Sequence, residues 1–265
     1  MSMKTAILYI CTGKYNQFFS GFYESCEKFF LADESEKTYF VWTDDLTLSQ
    51  SDNVRIFEKH CEGFPKDSLF RFDMFLQAED ELKSFDYVFF FNSNMLFLKP
   101  VQAREFVPTE SDGFLCALDA DFDKVYPHVS FYPYERNKRS LAYIPKDRKS
   151  YRYFHGGVNG GRTKEYLELI HTLSDNVRKD YDNGIIAQYH DESHLNRYLL
   201  DRRCKSLHSD LYGMDENANS SATAKIIIRD KTKVDAYFNK DRGYGVRRKI
   251  KRGLQLIGQI VTWYV

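Results

Sequence analysis

At 265 residues, 43% hydrophobic and 16% aromatic, the chain carries ample material for one well-filled domain, with or without an appendage. Lysine plus arginine and aspartate plus glutamate balance at 38 each, which excludes a global basic field and with it a nucleic-acid partner. The five cysteines (Cys11, Cys26, Cys61, Cys116, Cys204) are widely spaced with no CxxC pair, a pattern of reduced intracellular thiols rather than of a disulfide framework or zinc site.

The opening MSMKTAILYICTGKY has too short an apolar run and no small-residue cleavage site for a secretion signal. A first strand over 7–11 running into a polar loop accounts for it. A helix is expected over about 17–31, a strand over 38–42 ending in Thr43-Asp44-Asp45, and a helix over about 68–83 with Phe72, Phe75, Leu76 and Leu82 on one side. The strand at 88–91 is a short continuous apolar run, which suits burial on both faces. Strands alternating with helices predict an α/β fold with a parallel, doubly wound sheet. Beyond Pro108 the pattern turns irregular, with Gly- and Pro-bearing loops of the kind that shape a substrate site. No stretch is apolar enough, for long enough, to span a bilayer.

Four segments stand out. ILYICTGKY opens a strand into Thr12-Gly13-Lys14-Tyr15, able to present backbone and an aromatic face to a base. FFFNSNMLFL interrupts an apolar run with Asn92 and Asn94 at the carboxyl end of a strand, where open α/β sheets bind ligands; simple chain turning is the alternative. FHGGVNGG places glycines at 156, 157, 160 and 161, where a ligand can approach the backbone, or where a hairpin can turn. A helix over about 164–173 should follow. YHDESHLNRYLL sets Asp191-Glu192 before a helix that packs Leu195, Tyr198 and Leu199 inward, although Asp191 or Ser193 is also suited to cap it.

In this order, with WTDD, FDYVFFFNSNMLF, YER, AYIPKD, HGGVNGG and HDESHLNRYLL, the chain resembles glycosyltransferase family 6 over about residues 5–235. This is the group of the blood-group A and B transferases, α1,3-galactosyltransferase and bacterial homologues. The resemblance implies a GT-A fold, Rossmann-like with an irregular acceptor-binding half. It also implies retaining transfer of GalNAc or Gal from a UDP donor to a galactoside, in its family form fucosylated, in α1,3 linkage. By position, Ile10, Cys11 and Thr12 fall where a strand edge meets uracil, and Tyr15 where an aromatic ring covers the nucleoside. Arg71 matches an arginine near the donor sugar, and His155 with Gly156 and Gly157 matches positions that select the C2 substituent. Asp191 and Glu192 match the acidic pair beside the anomeric carbon. Acceptor contacts fall to Asp119, Pro133, Tyr189 and His190, with Asp119 replacing a histidine and Tyr189 a tryptophan.

Where mammalian members carry Asp-x-Asp, this chain has Asn92-Ser93-Asn94. Neutral amides keep oxygen ligands but lose both charges, so the expectation is a site without a divalent metal or other cofactor, in which the amides bind ribose or sugar hydroxyls. The charge of the leaving diphosphate then falls to the basic segment IIIRDKTKV, with Lys231 the first choice and Arg242 the second. His155 leans towards galactose and the two glycines towards GalNAc; steric room at Gly157 favours UDP-GalNAc. Two other functions fit parts of the pattern: an inactive sugar-binding relative, and a metal-dependent lipopolysaccharide hexosyltransferase, which would need the acidic motif this strand end lacks.

The tail, taken as a unit over 236–265 after a domain over 1–235, lies beyond the resemblance. The span from Arg242 to Arg252 contains six basic residues (Arg242, Arg247, Arg248, Lys249, Lys251 and Arg252) and no acidic one, and 253–265 carries no charge. On a helix, Val246, Ile250, Leu254, Leu256, Ile257, Ile260, Val261, Trp263, Tyr264 and Val265 gather on one side. Such a basic amphipathic helix suits peripheral contact with the inner face of the cytoplasmic membrane, in synthesis of a bacterial surface glycan. The alternative is a helix packed on its own domain.

Overall fold

The computed structural model describes residues 2–146, 150–219 and 222–239, together with 253, 254, 257, 258 and 260–264. Among them run β1 (Met3–Ile10), β2 (Ser35–Thr43), β3 (Val54–Glu58), β4 (Tyr87–Phe91), β5 (Met95–Phe97), β6 (Leu115–Asp119), β7 (Phe154–Arg162), β8 (Lys205–His208), β9 (Met214–Asp215) and β10 (Ile226–Ile228). Seven strands form one sheet in the order β3-β2-β1-β4-β7-β6-β8, and three form a small one, β5-β10-β9. The large sheet is parallel except at β7, which runs antiparallel to both β4 and β6.

The continuous apolar runs follow from burial on both faces. Ala6, Leu8, Val88 and Phe90 enter one core, beneath α2 (Arg71–Leu76), α3 (Thr163–Asp182) and α4 (His190–Leu199). Ile7, Tyr9, Phe89 and Phe91 enter the other, beneath α1 (Phe19–Phe29) and the small sheet. Each such fully buried side chain contributes about 1.5–3 kcal/mol over its exposed form. Along α3 the buried positions Tyr166, Leu169, Ile170, Leu173 and Val177 recur every three or four residues, one stripe of an α-helix. A third, smaller cluster of Ala120, Tyr132, Tyr134, Ile144 and Tyr153 holds the irregular lobe between β6 and β7.

The sheet is the mostly parallel one expected of this α/β fold; within it FHGGVNGG is not a loop but β7, an interior strand antiparallel to both neighbours. A Cβ on Gly160 would stand 2.4 Å from the Phe89 ring and the Val88 carbonyl, and one on Gly161 would stand 2.2 Å from the Phe114 carbonyl. Those glycines exist because neighbouring strands press on them. The helix expected over 68–83 is three short pieces, Lys66–Leu69, α2 and Glu79–Leu82, broken at Phe70 and Ala78. No Gly or Pro enforces the breaks; the Phe70 break precedes Arg71, which is buried and bonded to β7. Strands β3, β5, β6, β8, β9 and β10 are additional, each short and without a long apolar run to announce it.

Candidate active site

The carboxyl ends of β1, β4, β6 and β8 and the start of antiparallel β7 meet at one sheet edge, where Tyr9 pairs with Phe91, Phe91 with Val158 and Asp119 with Phe154. Between β6 and β7 the register jumps: Ala117 faces Asn159 and Leu118 faces His155, so Gly156, Gly157 and Val158 bulge from the ladder. Bulges of this kind re-aim backbone beside active sites.

Loop 11–16 leaves β1 at this edge. Cys11 is fully buried, its N–H donates to the Trp42 carbonyl (2.9 Å), and burial pushes its thiol up to about 12. Ile10 and Cys11 therefore present backbone, not side chains, to any ligand. Thr12 is buried, with its hydroxyl 3.5 Å from Asp67. Asp44 holds the loop, accepting from the Gly13 N–H (2.9 Å) and Asn16 Nδ2 (2.8 Å). Although burial opposes it, these hydrogen bonds keep the Asp44 carboxyl below the usual range. Asp44 had no role in the sequence reading; its signal was its place just past β2, level with the β1 loop.

The two asparagines do different things. The Asn92 N–H donates to the Gly157 carbonyl (2.8 Å), extending the β4–β7 ladder one residue. Its side-chain amide lies over Gly157, where a Cβ would come within 3.0 Å of Nδ2. Asn94 closes a two-bond clamp: Nδ2 donates to the Arg229 carbonyl (2.9 Å), and the Arg229 N–H donates to the Asn94 carbonyl (2.8 Å). Aspartate at 94 cannot supply the first bond. A divalent cation favours anionic oxygens, whereas this edge offers neutral amides. Among the described residues no three His, Cys, Asp or Glu side chains gather in a metal-binding group. Asn92 and Asn94 thus place no anionic metal ligand at this strand end.

Opposite them, the first turn of α4 delivers the acidic pair to the bulge. Glu192 accepts from Tyr153 Oη (2.5 Å) and from the Gly156 N–H (2.7 Å), one donor to each oxygen. Asp191 is buried, its Oδ2 3.0 Å from Arg71 Nε but off the line of that N–H, so the contact is electrostatic rather than a directed hydrogen bond. Arg71 also donates to the Gly156 carbonyl (2.8 Å) and lies 4.6 Å over the Phe90 ring. Burial pushes Asp191 up to about 7 against the pull of Arg71. Neither acid caps α4; the Ser193 hydroxyl accepts from the Tyr189 N–H (3.0 Å) instead. His155 Nδ1 lies 3.9 Å from Glu192 Oε2. Asn196 straps β7 to α4 through both polar atoms of its amide, on the Phe154 N–H and carbonyl (2.8 Å each).

Residues 3–238 match the sequence profile of Glycosyltransferase family 6. The O-antigen biosynthesis glycosyltransferase WbnI of Escherichia coli is 35% identical over 237 residues, covering 88% of this chain and 97% of that protein. The chain belongs to glycosyltransferase family 6. A chicken globoside α-1,3-N-acetylgalactosaminyltransferase 1 is 29% identical across 82% of this chain, which spans 63% of that protein's length. A rat histo-blood group ABO system transferase 1 is 40% identical over 85 residues, 32% of this chain and 24% of its own. The protein is thus a transferase that takes sugar from a nucleotide-sugar donor to a glycan acceptor, on a mixed α/β fold consistent with GT-A.

Beside the lobe between β6 and β7, Asp119 ends β6 and accepts from Ser206 Oγ (2.6 Å) and Arg152 (3.2 Å). It shares a cavity of about 260 Å³ with Tyr132, Tyr153 and His208. Arg152 and His208 escaped the sequence reading, since nothing local marks a residue whose partner lies 33 or 87 positions away. Pro133 sits half-buried in the same lobe, Tyr189 is exposed, and His190, at φ +52°, sets its ring against Phe64 (4.7 Å).

The segment after β10 folds back over the β1 loop. Lys231 Nζ donates to Tyr15 Oη (2.8 Å), Lys14 pairs with Asp235 (3.4 Å), and the Phe238 ring lies 5.0 Å from Tyr15. Tyr15 thus has one side covered by the protein itself. Arg242 lies outside the described residues, as do Val246, Ile250, Leu256 and Val265. The described residues of 253–264 are helical. Trp263 is buried against the domain, under Arg136 (4.2 Å) and beside Tyr151 (5.5 Å), while Leu254, Ile257, Val261 and Tyr264 are exposed. Among the described residues no helix is long and apolar enough to cross a membrane.

Proposed function

We propose that this transferase moves GalNAc, with Gal the competing sugar, from its UDP conjugate to a galactoside in α1,3 linkage with retention, without a divalent metal. The observation that carries the reading is the bulge itself: Glu192, held by one donor on each oxygen, stands across it from neutral Asn92 and from Asn94, which is locked to the Lys231 segment. A carboxylate so fixed stabilises positive charge at the anomeric carbon, either by bonding to it as the UDP oxygen departs or by facing an oxocarbenium ion during front-side attack. Lys231, and Arg242 beyond it, offset the charge of the departing diphosphate. Ile10 to Thr12 and Tyr15 take the nucleoside, Asn92 and Ser93 the ribose and sugar, and Asp119, Pro133, Tyr189 and His190 the acceptor.

The donor preference rests on Gly157. A Cβ at 157 would stand 3.0 Å from Asn92 Nδ2 and 3.2 Å from Met95 Cε, so any side chain there would crowd the Asn92 amide and whatever sugar substituent lies beside it. Product analysis with both donors on a galactoside acceptor tests the reading; a higher kcat/KM for UDP-Gal reverses the donor assignment, and inversion at the new linkage ends the mechanism.

The name of the E. coli relative supports a place in O-antigen synthesis, on an acceptor made at the cytoplasmic face of the membrane. Leu254, Ile257, Val261 and Tyr264 follow a +3, +4, +3 spacing, one exposed apolar stripe beside six cationic side chains in sequence. That stripe is suited to lie on an anionic bilayer, each nearby cation adding about 1 kcal/mol. Trp263 belongs instead to the domain and fixes the helix to it. Co-sedimentation with anionic vesicles should recover the full chain and lose a form truncated after Tyr244; equal recovery removes the membrane from the account.

A further inference from the structure

The acceptor cavity beside Asp119 shares Arg152 with a second cavity of about 300 Å³, lined in part by Ser111, Asp112, Ser150, Arg202 and Arg203. Three guanidinium groups from two separate parts of the chain converge there. Arg152 is paired with Asp119 (3.2 Å) and also donates to the Cys204 carbonyl (3.3 Å). Among the described residues neither Arg202 nor Arg203 has a carboxylate within ion-pair distance. Arg202 gives one N–H to the Tyr198 carbonyl (2.9 Å) while stacking 3.8 Å over the Tyr198 ring, and Arg203 gives one to the Ser111 carbonyl at 3.4 Å. Each guanidinium has five N–H donors, so most stay open.

The Arg203 backbone is wedged in place. Gly113 sits at φ +84°, and a Cβ there would stand 2.6 Å from the Arg203 carbonyl, so the two loops close together only because that residue is glycine. Asp112, the one carboxylate lining this cavity, already accepts from the Thr109 N–H (2.8 Å) and hydroxyl (2.9 Å). Among the described residues lining this cavity, three arginines face Asp112 alone, while Asp119, the partner of Arg152, lines the neighbouring cavity together with Asp121 and Asp123.

We infer that this cavity is an anion subsite, receiving a phosphoryl or carboxylate group carried by the acceptor beyond the sugar that accepts the transfer. The inference rests on the glycosyltransferase reading of the Glu192 side. From Glu192 the path runs past Tyr153, through the aromatic-walled cavity at Asp119, to Arg152 and then to Arg202 and Arg203. Planar arginine forks bind either anion bidentately. A sugar acid within the glycan and a phosphoryl link to a lipid carrier supply the same chemistry.

Isothermal titration of the full chain separates the sources. The probes are a neutral β-galactoside oligosaccharide, the same oligosaccharide ending in a uronic acid, and the same bearing a reducing-end phosphate. At low salt one or both anionic forms should bind about tenfold more tightly than the neutral one, a 1.4 kcal/mol difference. The advantage should shrink as salt rises and approach unity in an R202S/R203S double variant. A uronate advantage assigns the sugar acid, and a phosphate advantage assigns the carrier. Equal binding of all three saccharides by the wild type overturns the inference, as does an advantage that the double variant retains in full. If that variant fails to fold, the wild-type ratio and its salt dependence decide alone. Binding needs no turnover, so loss of UDP-sugar chemistry would strike the proposed reaction and leave this comparison standing.

Discussion

The two sides of the sheet edge are built differently. On the donor side, positions are fixed by backbone: Cys11 and Asn92 are bonded through their N–H groups to neighbouring strands, and Asn94 grips the Arg229 main chain at both ends. On the acceptor side, between β6 and β7, few strand bonds exist, and side chains hold the lobe. Asp180 accepts from Ser140 Oγ (2.5 Å) and the Leu141 N–H (3.0 Å), Glu135 from the Asn137 and Gln188 N–H groups (2.7 Å each), and tyrosine rings fill the rest. A frame made of main chain keeps its geometry through many substitutions, whereas one made of side chains changes with each. On the proposed reading, the reaction is anchored on the donor side, and acceptor choice diverges in residues such as Asp119, Arg152 and His208.

The largest effect that would sharpen this contrast is at Glu192. Glu192→Gln keeps the shape but loses the charge, and should lower kcat by at least about 10²-fold while UDP still binds; near-normal turnover would return the residue to a structural role. Lys231→Ala should follow with about 2–4 kcal/mol lost in kcat, read by single-turnover kinetics. Asn94→Asp replaces a donor with a carboxylate facing the Arg229 carbonyl, at a cost of about 1–3 kcal/mol. Turnover should fall roughly 10-fold, and added manganese should not restore it. Rescue by manganese would mean the position can serve as a metal ligand after all.

The smallest effect is in pH. Asp191, pushed up to about 7 from 3.8, takes up a proton in the folded protein before it would in the unfolded chain. Its contribution to stability therefore falls as pH rises through that window, the sign for a raised acid. If the anion is the working form, kcat/KM should fall as pH drops below about 7, and Asp191→Asn should flatten that limb. An unchanged limb in the variant would assign it to another group.

How much of this was legible in sequence follows from the same contrast. Strands β1, β2 and β4 are buried on both faces, so their apolar runs declare them. Strand β7 hides behind its glycines, which answer to Phe89 on β4 and to Phe114 just before β6 rather than to any local period. The segment IIIRDK reads as a basic stretch, yet its isoleucines are a strand seen only once β5 lies beside it. Asp191, Glu192 and the two asparagines stand in long motifs, so they are legible as candidates, and the fold brings them to one sheet edge. Tyr153, Arg152 and the partner of Asn94 act through pairs 39, 33 and 135 residues apart, which only folding brings together. In the tail the described residues of 253–264 are helical, but Trp263 turns inward to the domain.

The central claim is that this edge performs the transfer without a divalent metal. Release of UDP from the UDP-sugar, with a galactoside acceptor present, should proceed at an undiminished rate in excess EDTA and gain little from added manganese. Turnover that stops under chelation and returns with manganese would contradict the account at its root.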